Sequence, residues 1–162
     1  MNMKKTIVVN LYAGPGSGKS TTAAGLFHDL KRKGVNCEYV QEYAKDIVWG
    51  ENFKILDNQI YVYGKQHNRI FRLKNKVDVI ITDSPPIMGL VYCDWNITSP
   101  FLKEVAYDEH HKSDVKNLEF FIVRNKIYNP KGRMQTTEEA IVIDLKIKEL
   151  LNQNDISFQE VL

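Results

Sequence analysis

The chain has 162 residues and a formal net charge of +2, with 43% hydrophobic and 26% charged residues. That length suits one domain, 1–162, with a real core, and so small a charge gives no electrostatic ground for a nucleic-acid-binding protein. No apolar run is long enough to span a bilayer, and Cys37 and Cys93 lack paired spacing, so the expectation is a cytoplasmic protein with reduced thiols.

After Met1-Asn2-Met3-Lys4-Lys5, the apolar run 6–12 reads as a buried strand and not as a leader, because it gives way at once to Ala13-Gly14-Pro15-Gly16-Ser17-Gly18-Lys19-Ser20. An amphipathic stretch, 21–33, follows and reads as a helix, with Ala23, Leu26, Phe27 and Leu30 on one face. Strand, glycine loop, Lys-Ser and helix together are the context of a phosphate-binding P-loop. The glycines let the backbone turn its N–H groups around an anion, and the helix N-terminus adds partial positive charge. Lys19 is expected on the β- and γ-phosphates of ATP, with Ser20 on Mg²⁺. Gly14, Pro15, Gly16, Ser17, Gly18 and Thr21 complete the expected ATP contacts. Ala13 stands where the pattern has Gly, so it must adopt a conformation open to a Cβ.

Lys31, Arg32 and Lys33 suit the last turn of the first helix, and Gly34 ends it. Residues 36–40 read as a second strand, running into Glu42 and a helical turn. Residues 57–74 read as a long helix, and 77–82 as a β-branched buried strand ending at Asp83-Ser84-Pro85-Pro86. The prolines redirect the chain into 87–94. Ser99-Pro100 suits an N-cap and N1 pair for a helix from 101 to about 111. Residues 118–123 read as a fourth strand, and 124–135 as an exposed polar loop. Thr136 and Glu139 form a capping box for a last helix with Ala140, Ile143, Ile147, Leu150 and Leu151 on one face. A turn at 152–155 leads to a last strand, 156–162. The alternation predicts an α/β fold, a five-stranded parallel sheet with helices on both faces.

In such a sheet a site forms beyond the carboxyl ends of the strands. Those ends carry the P-loop, Glu42, Asp83 and Arg124 with its basic loop. A phosphate cradle, two carboxylates and arginines are the parts that phosphoryl transfer needs. On these residues the chain resembles the P-loop nucleoside and nucleotide kinases. It looks closest to nicotinamide-ribose-kinase-like domains and to small phage-encoded ATP-binding kinases. The resemblance implies a P-loop three-layer sandwich with a small lid at about 124–135. It implies Glu42 as the base for the acceptor hydroxyl and Asp83 as the partner of Mg²⁺. Arg124, Lys131 and Arg133 become the lid cations on ATP, with Arg133 catalytic. Tyr43, Asp46, Tyr63, Gln66 and Ser84 are candidates for the acceptor side, and Ser84 stands where the family usually has Arg.

Each residue also has an ordinary reading. Glu42 suits a helix N-terminus, Asp83 a turn, Arg133 a solvated loop. Tyr43, Trp49, Phe53 and Tyr63 suit a core. His110 and His111 read as surface residues without a third zinc ligand. Asn75-Lys76-Val77-Asp78 matches a guanine-reading motif by chance, since it precedes the third strand. The expected function is a kinase acting on a hydroxyl of a nucleoside, nucleotide or related small molecule. A kinase acting on DNA, on a hydroxymethylated base or a polynucleotide end, and a P-loop ATPase are the alternatives.

Overall fold

The computed structural model describes residues 5–125 and 136–162. Lys131, Arg133 and most of the expected lid lie outside these residues. Five strands form one parallel sheet in the order β2-β3-β1-β4-β5: β1 (Ile7–Tyr12), β2 (Cys37–Val40), β3 (Val79–Thr82), β4 (Lys116–Ile122) and β5 (Gln159–Val161). Five α-helices connect them: α1 (Lys19–Arg32), α2 (Tyr43–Trp49), α3 (Gln59–Phe71), α4 (Phe101–Lys112) and α5 (Thr137–Gln153).

Right-handed crossovers put α1 on one face of this sheet and α3, α4 and α5 on the other. Side chains agree. Phe27 of α1 meets Tyr39 of β2 at a ring separation of 6.5 Å. On the opposite face Ile70 of α3 packs with Val8, Val40 and Ile80, and the Lys148 ammonium of α5 sits 4.6 Å over the Phe121 ring. The result is the expected three-layer α/β sandwich. β1 is central and nearly wholly buried, as its apolar run requires.

The Thr136–Glu139 capping box is present, and Ala140, Ile147 and Leu151 are fully buried below it. Several expectations need correction. The long helix at 57–74 is shorter: a 3-10 turn, Phe53–Asp57, precedes it, and Asn58 caps α3 by accepting the Tyr61 N–H. α4 has Pro100, not Ser99, at its N-cap, with no side-chain capping bond. His110 is not a surface residue: its Nε2 lies 3.2 Å from Glu119 of β4, with both side chains about 90% buried. Trp49 and Phe53 are not core, at 70% and 44% exposure. Among the described residues no helix is long and apolar enough to cross a membrane.

Candidate active site

The P-loop closes between β1 and α1. Gly16 and Gly18 hold φ of 77° and 107°, which a Cβ would oppose, whereas Ala13 is outside the left-handed region and fully buried. The buried Ser17 hydroxyl donates to the Gly14 carbonyl at 3.1 Å. Lys19 is folded over the loop and donates to the carbonyls of Ala13 (2.6 Å) and Gly14 (3.0 Å). Burial lowers its pKa; the charges of Glu42, Asp83 and Asp144 oppose that shift, and Arg124 adds to it.

A cleft of about 570 Å³ opens from this loop. Pro15, Gly16, Gly18, Lys19, Ser20 and Thr21 of the loop and first turn line it. So do α2 (Val48, Trp49), α3 (Gln59, Val62, Tyr63, Gln66), the 3-10 segment Pro86–Tyr92 and Ser84. Glu42 shares this lining and lies near enough to Lys19 and Asp83 to feel their charges. It occupies the N-cap position of α2 but makes no capping bond with its side chain. Burial raises its pKa; Lys19 opposes the shift and Asp83 adds to it. A carboxyl so placed is a stronger base than an exposed one.

Asp83 is 2% exposed and closes β3. Its Oδ1 accepts the Glu42 N–H at 3.1 Å and its Oδ2 the Tyr39 hydroxyl at 2.6 Å. Ser20 also lies close enough to act on the Tyr39 hydroxyl, so Ser20 and Asp83 both sit beside one phenol. Hydroxyl and carboxylate oxygens are the donors Mg²⁺ prefers. Among the described residues no group of three or more His, Cys, Asp or Glu is placed to hold a metal ion.

On the acceptor side, Gln66 is 4% exposed. Its Oε1 accepts the Tyr43 N–H at 2.8 Å, and its Nε2 is buried without a partner. The Tyr63 hydroxyl is likewise buried and unpartnered. Tyr43 and Asp46 are not among the lining residues of this cleft. The Tyr43 ring lies under the Arg69 guanidinium and beside Tyr61, and Asp46 pairs with Arg69. Arg124 is not on an exposed loop: its side chain is 14% exposed and paired with Asp144 of α5.

The sequence reading passed over Tyr92, which lines the cleft, and Tyr39 and Asp144, which bond to Asp83 and Gly14 beside it. The Tyr92 hydroxyl pKa is pushed up by burial and then by the charges of Glu42 and Asp144. Asp144 did leave a signal: it interrupts the apolar stripe of Ala140, Ile147 and Leu151 with a charge. Tyr39 left none beyond being an aromatic in a strand.

A sequence comparison with curated proteins finds no match. Among solved structures, the deoxyadenosine kinase of M. mycoides with bound dATP is similar at a TM-score of 0.56 and 18% identity, over 95% of this chain and 90% of that one. Its structure with products dCMP and a flexible dCDP gives 0.57 and 16%, over 96% and 90%. The Mycobacterium tuberculosis APS kinase CysC (Cys556Ala mutant) follows at 0.47 and 17%, over 93% and 99%, a score too low to add to the argument. These likenesses establish the fold. The AAA domain family AAA_28 matches residues 8–162. The chain therefore belongs to the AAA domain family AAA_28, built on the P-loop α/β fold that it shares with a deoxyadenosine kinase.

Proposed function

We propose that the protein is an ATP-dependent kinase that moves the γ-phosphoryl group to a hydroxyl of a nucleoside, nucleotide or related small molecule. The observation that carries this reading is one cleft of about 570 Å³ lined both by the P-loop and by α2, α3 and the 3-10 segment Pro86–Tyr92, with Glu42 in its lining and near Lys19. Hydrolysis needs no walls beyond the P-loop; transfer to an acceptor does.

In this reading the P-loop and Lys19 bind the β- and γ-phosphates, and Lys19 leaves the carbonyls of Ala13 and Gly14 to do so. Glu42 takes the proton of the acceptor hydroxyl as its oxygen forms a bond to the γ-phosphorus. The bond from that phosphorus to the bridging oxygen breaks, and ADP leaves with the electron pair. Ser20 and Asp83 would hold Mg²⁺, which supplies charge neutralisation on the phosphates when bound. The partnerless Nε2 of Gln66 offers the acceptor a donor, and Tyr63 and Trp49 offer it aromatic surface. Lys131 and Arg133, outside the described residues, remain candidates for closing over ATP, with Arg133 in the catalytic role.

The test is ADP release from MgATP with and without a panel of nucleosides, nucleotides and nicotinamide riboside. An acceptor that accelerates ADP release supports the reading. Lys19→Ala should cut that rate by ~100-fold or more, the scale of one preorganised charge contact. Glu42→Gln should do the same with ADP affinity nearly unchanged. Fast hydrolysis that no acceptor alters would point to an ATPase instead.

A further inference from the structure

The Asp144 carboxylate ties three parts of the chain together. Its Oδ1 accepts the Gly14 N–H at 2.5 Å. Its Oδ2 accepts from Arg124 Nε at 3.0 Å and lies 2.9 Å from Nη2. The P-loop, the end of β4 and the first half of α5 thus meet at one buried group. The packing around it is close: a Cβ on Gly14 would stand 2.6 Å from the Ala140 carbonyl oxygen and 2.9 Å from Asp144 Oδ1.

Each Asp144 oxygen already accepts from its own chain, so this carboxylate is poorly placed to act as a base. Arg124 is different. Its Nη2 faces Asp144 Oδ2 at 2.9 Å, and its Nη1 is buried with no hydrogen-bond partner among the described residues. A buried guanidinium donor without a partner is costly until an acceptor arrives. The position of the guanidinium is informative too, because a Cβ on Gly14 would be 3.4 Å from Nη2, and Lys19 feels the charges of both Arg124 and Asp144. Two cations beside one phosphate cradle repel each other. Asp144 supplies the negative charge that lets both stay.

We propose that Asp144 is a positioning residue of the nucleotide site, which holds Arg124 beside the P-loop with Nη1 of its guanidinium left to meet phosphate oxygens of the donor. This rests on the nucleotide-binding half of the function proposed above and not on phosphoryl transfer. Arg124 is then a fixed cation beside the P-loop, in place before any nucleotide arrives.

The experiment is calorimetric titration of ADP, and separately of tripolyphosphate, without acceptor, into the wild type, Arg124→Ala, Asp144→Asn and the double variant. Asparagine keeps a carbonyl oxygen for the Gly14 N–H and removes the charge that faces Arg124. Loss of one charge-assisted hydrogen bond should raise the Kd of both ligands by ~10-fold or more in each single variant. The double variant should bind no more weakly than the weaker single. Arg124→Lys should recover part of the tripolyphosphate affinity, having the charge without the planar fork. A lower melting temperature with unchanged Kd in Asp144→Asn would make Asp144 a structural clamp and overturn the proposal. So would fully additive losses in the double variant. If Asp144→Asn does not fold, Arg124→Ala decides alone, and wild-type affinity for tripolyphosphate there overturns it. Wild-type protein that binds both ligands but phosphorylates no acceptor would sink the kinase reading and leave this one standing. Wild type that binds neither overturns both.

Discussion

Tyr39 brings a phenol beside Ser20 and Asp83, and its 2.6 Å hydrogen bond orients a carboxylate that is 2% exposed. A short bond to an ionised acceptor is among the stronger ones a side chain makes. Tyr39→Phe removes it without changing the shape of the packing against Phe27. Two effects are expected. Stability should fall by about 1–3 kcal/mol, since a buried acceptor loses its donor. The Mg²⁺ concentration needed for half-maximal ADP production should rise, with turnover largely recovered at saturating Mg²⁺. Superimposable Mg²⁺ titrations, in activity and in calorimetry with ADP, would leave Tyr39 only a packing role. Gln66 shows the same logic on the acceptor side. The Tyr43 N–H occupies its oxygen, so its amide nitrogen is the group left to face a ligand.

At the scale of elements, the P-loop and α5 are in closer contact than two neighbouring segments usually are. The reason is that Gly14 has no side chain. It does not hold a positive φ, unlike Gly16 and Gly18. Its lack of a Cβ allows the N–H to reach Asp144 while the Ala140 carbonyl lies alongside. Gly14→Ala should therefore force loop and helix apart, costing about 1–3 kcal/mol as overpacking does, and should weaken ADP binding. Gly25 is the contrasting case. It lies on the exposed side of α1, and a Cβ there would meet nothing within 4 Å. Gly25→Ala should stabilise by about 0.5–1 kcal/mol through helix propensity. Thermal melts and ADP titrations of the two variants separate the causes. A Gly14→Ala protein with wild-type melting and affinity would show that the contact is not held in solution.

Across the whole molecule, the site gathers charge that the fold must bury. Glu42 has a folded-state pKa above its ordinary value, chiefly through burial. The folded state therefore binds the proton more tightly than the unfolded chain does. Its contribution to stability is fully present below the ordinary carboxylate pKa and is lost as pH rises through the raised one. The difference in melting temperature between wild type and Glu42→Gln should change accordingly, the variant gaining on the wild type as pH rises through that window. Activity runs the other way, because the base must be ionised, so turnover should fall on acidification through the same raised pKa. Parallel pH profiles for the two proteins, in melting and in turnover, would remove Glu42 from both arguments.

What the amino-acid sequence determined by itself is local. The loop from Ala13 to Ser20, the β-branched run before Asp83 and the Thr136–Glu139 cap were legible because each depends on backbone conformation or on contacts a few residues apart. The parallel sheet followed from alternation and crossover hand, and its strand ends pointed to the neighbourhood of the site. The membership of that site was another matter. Asp144 meets Gly14 across 130 residues and Tyr39 meets Asp83 across 44. Periodicity carries no information on such pairs, because it records which face is buried and not what lies opposite. For the same reason Arg124 looked solvated until α5 was in place. His110 looked exposed until β4 brought Glu119 beneath it, and the contacts of Tyr43 and Asp46 with Arg69 were not foreseen. Tertiary structure decided these, since pairing a charge or filling a pocket depends on which surfaces the fold brings into contact.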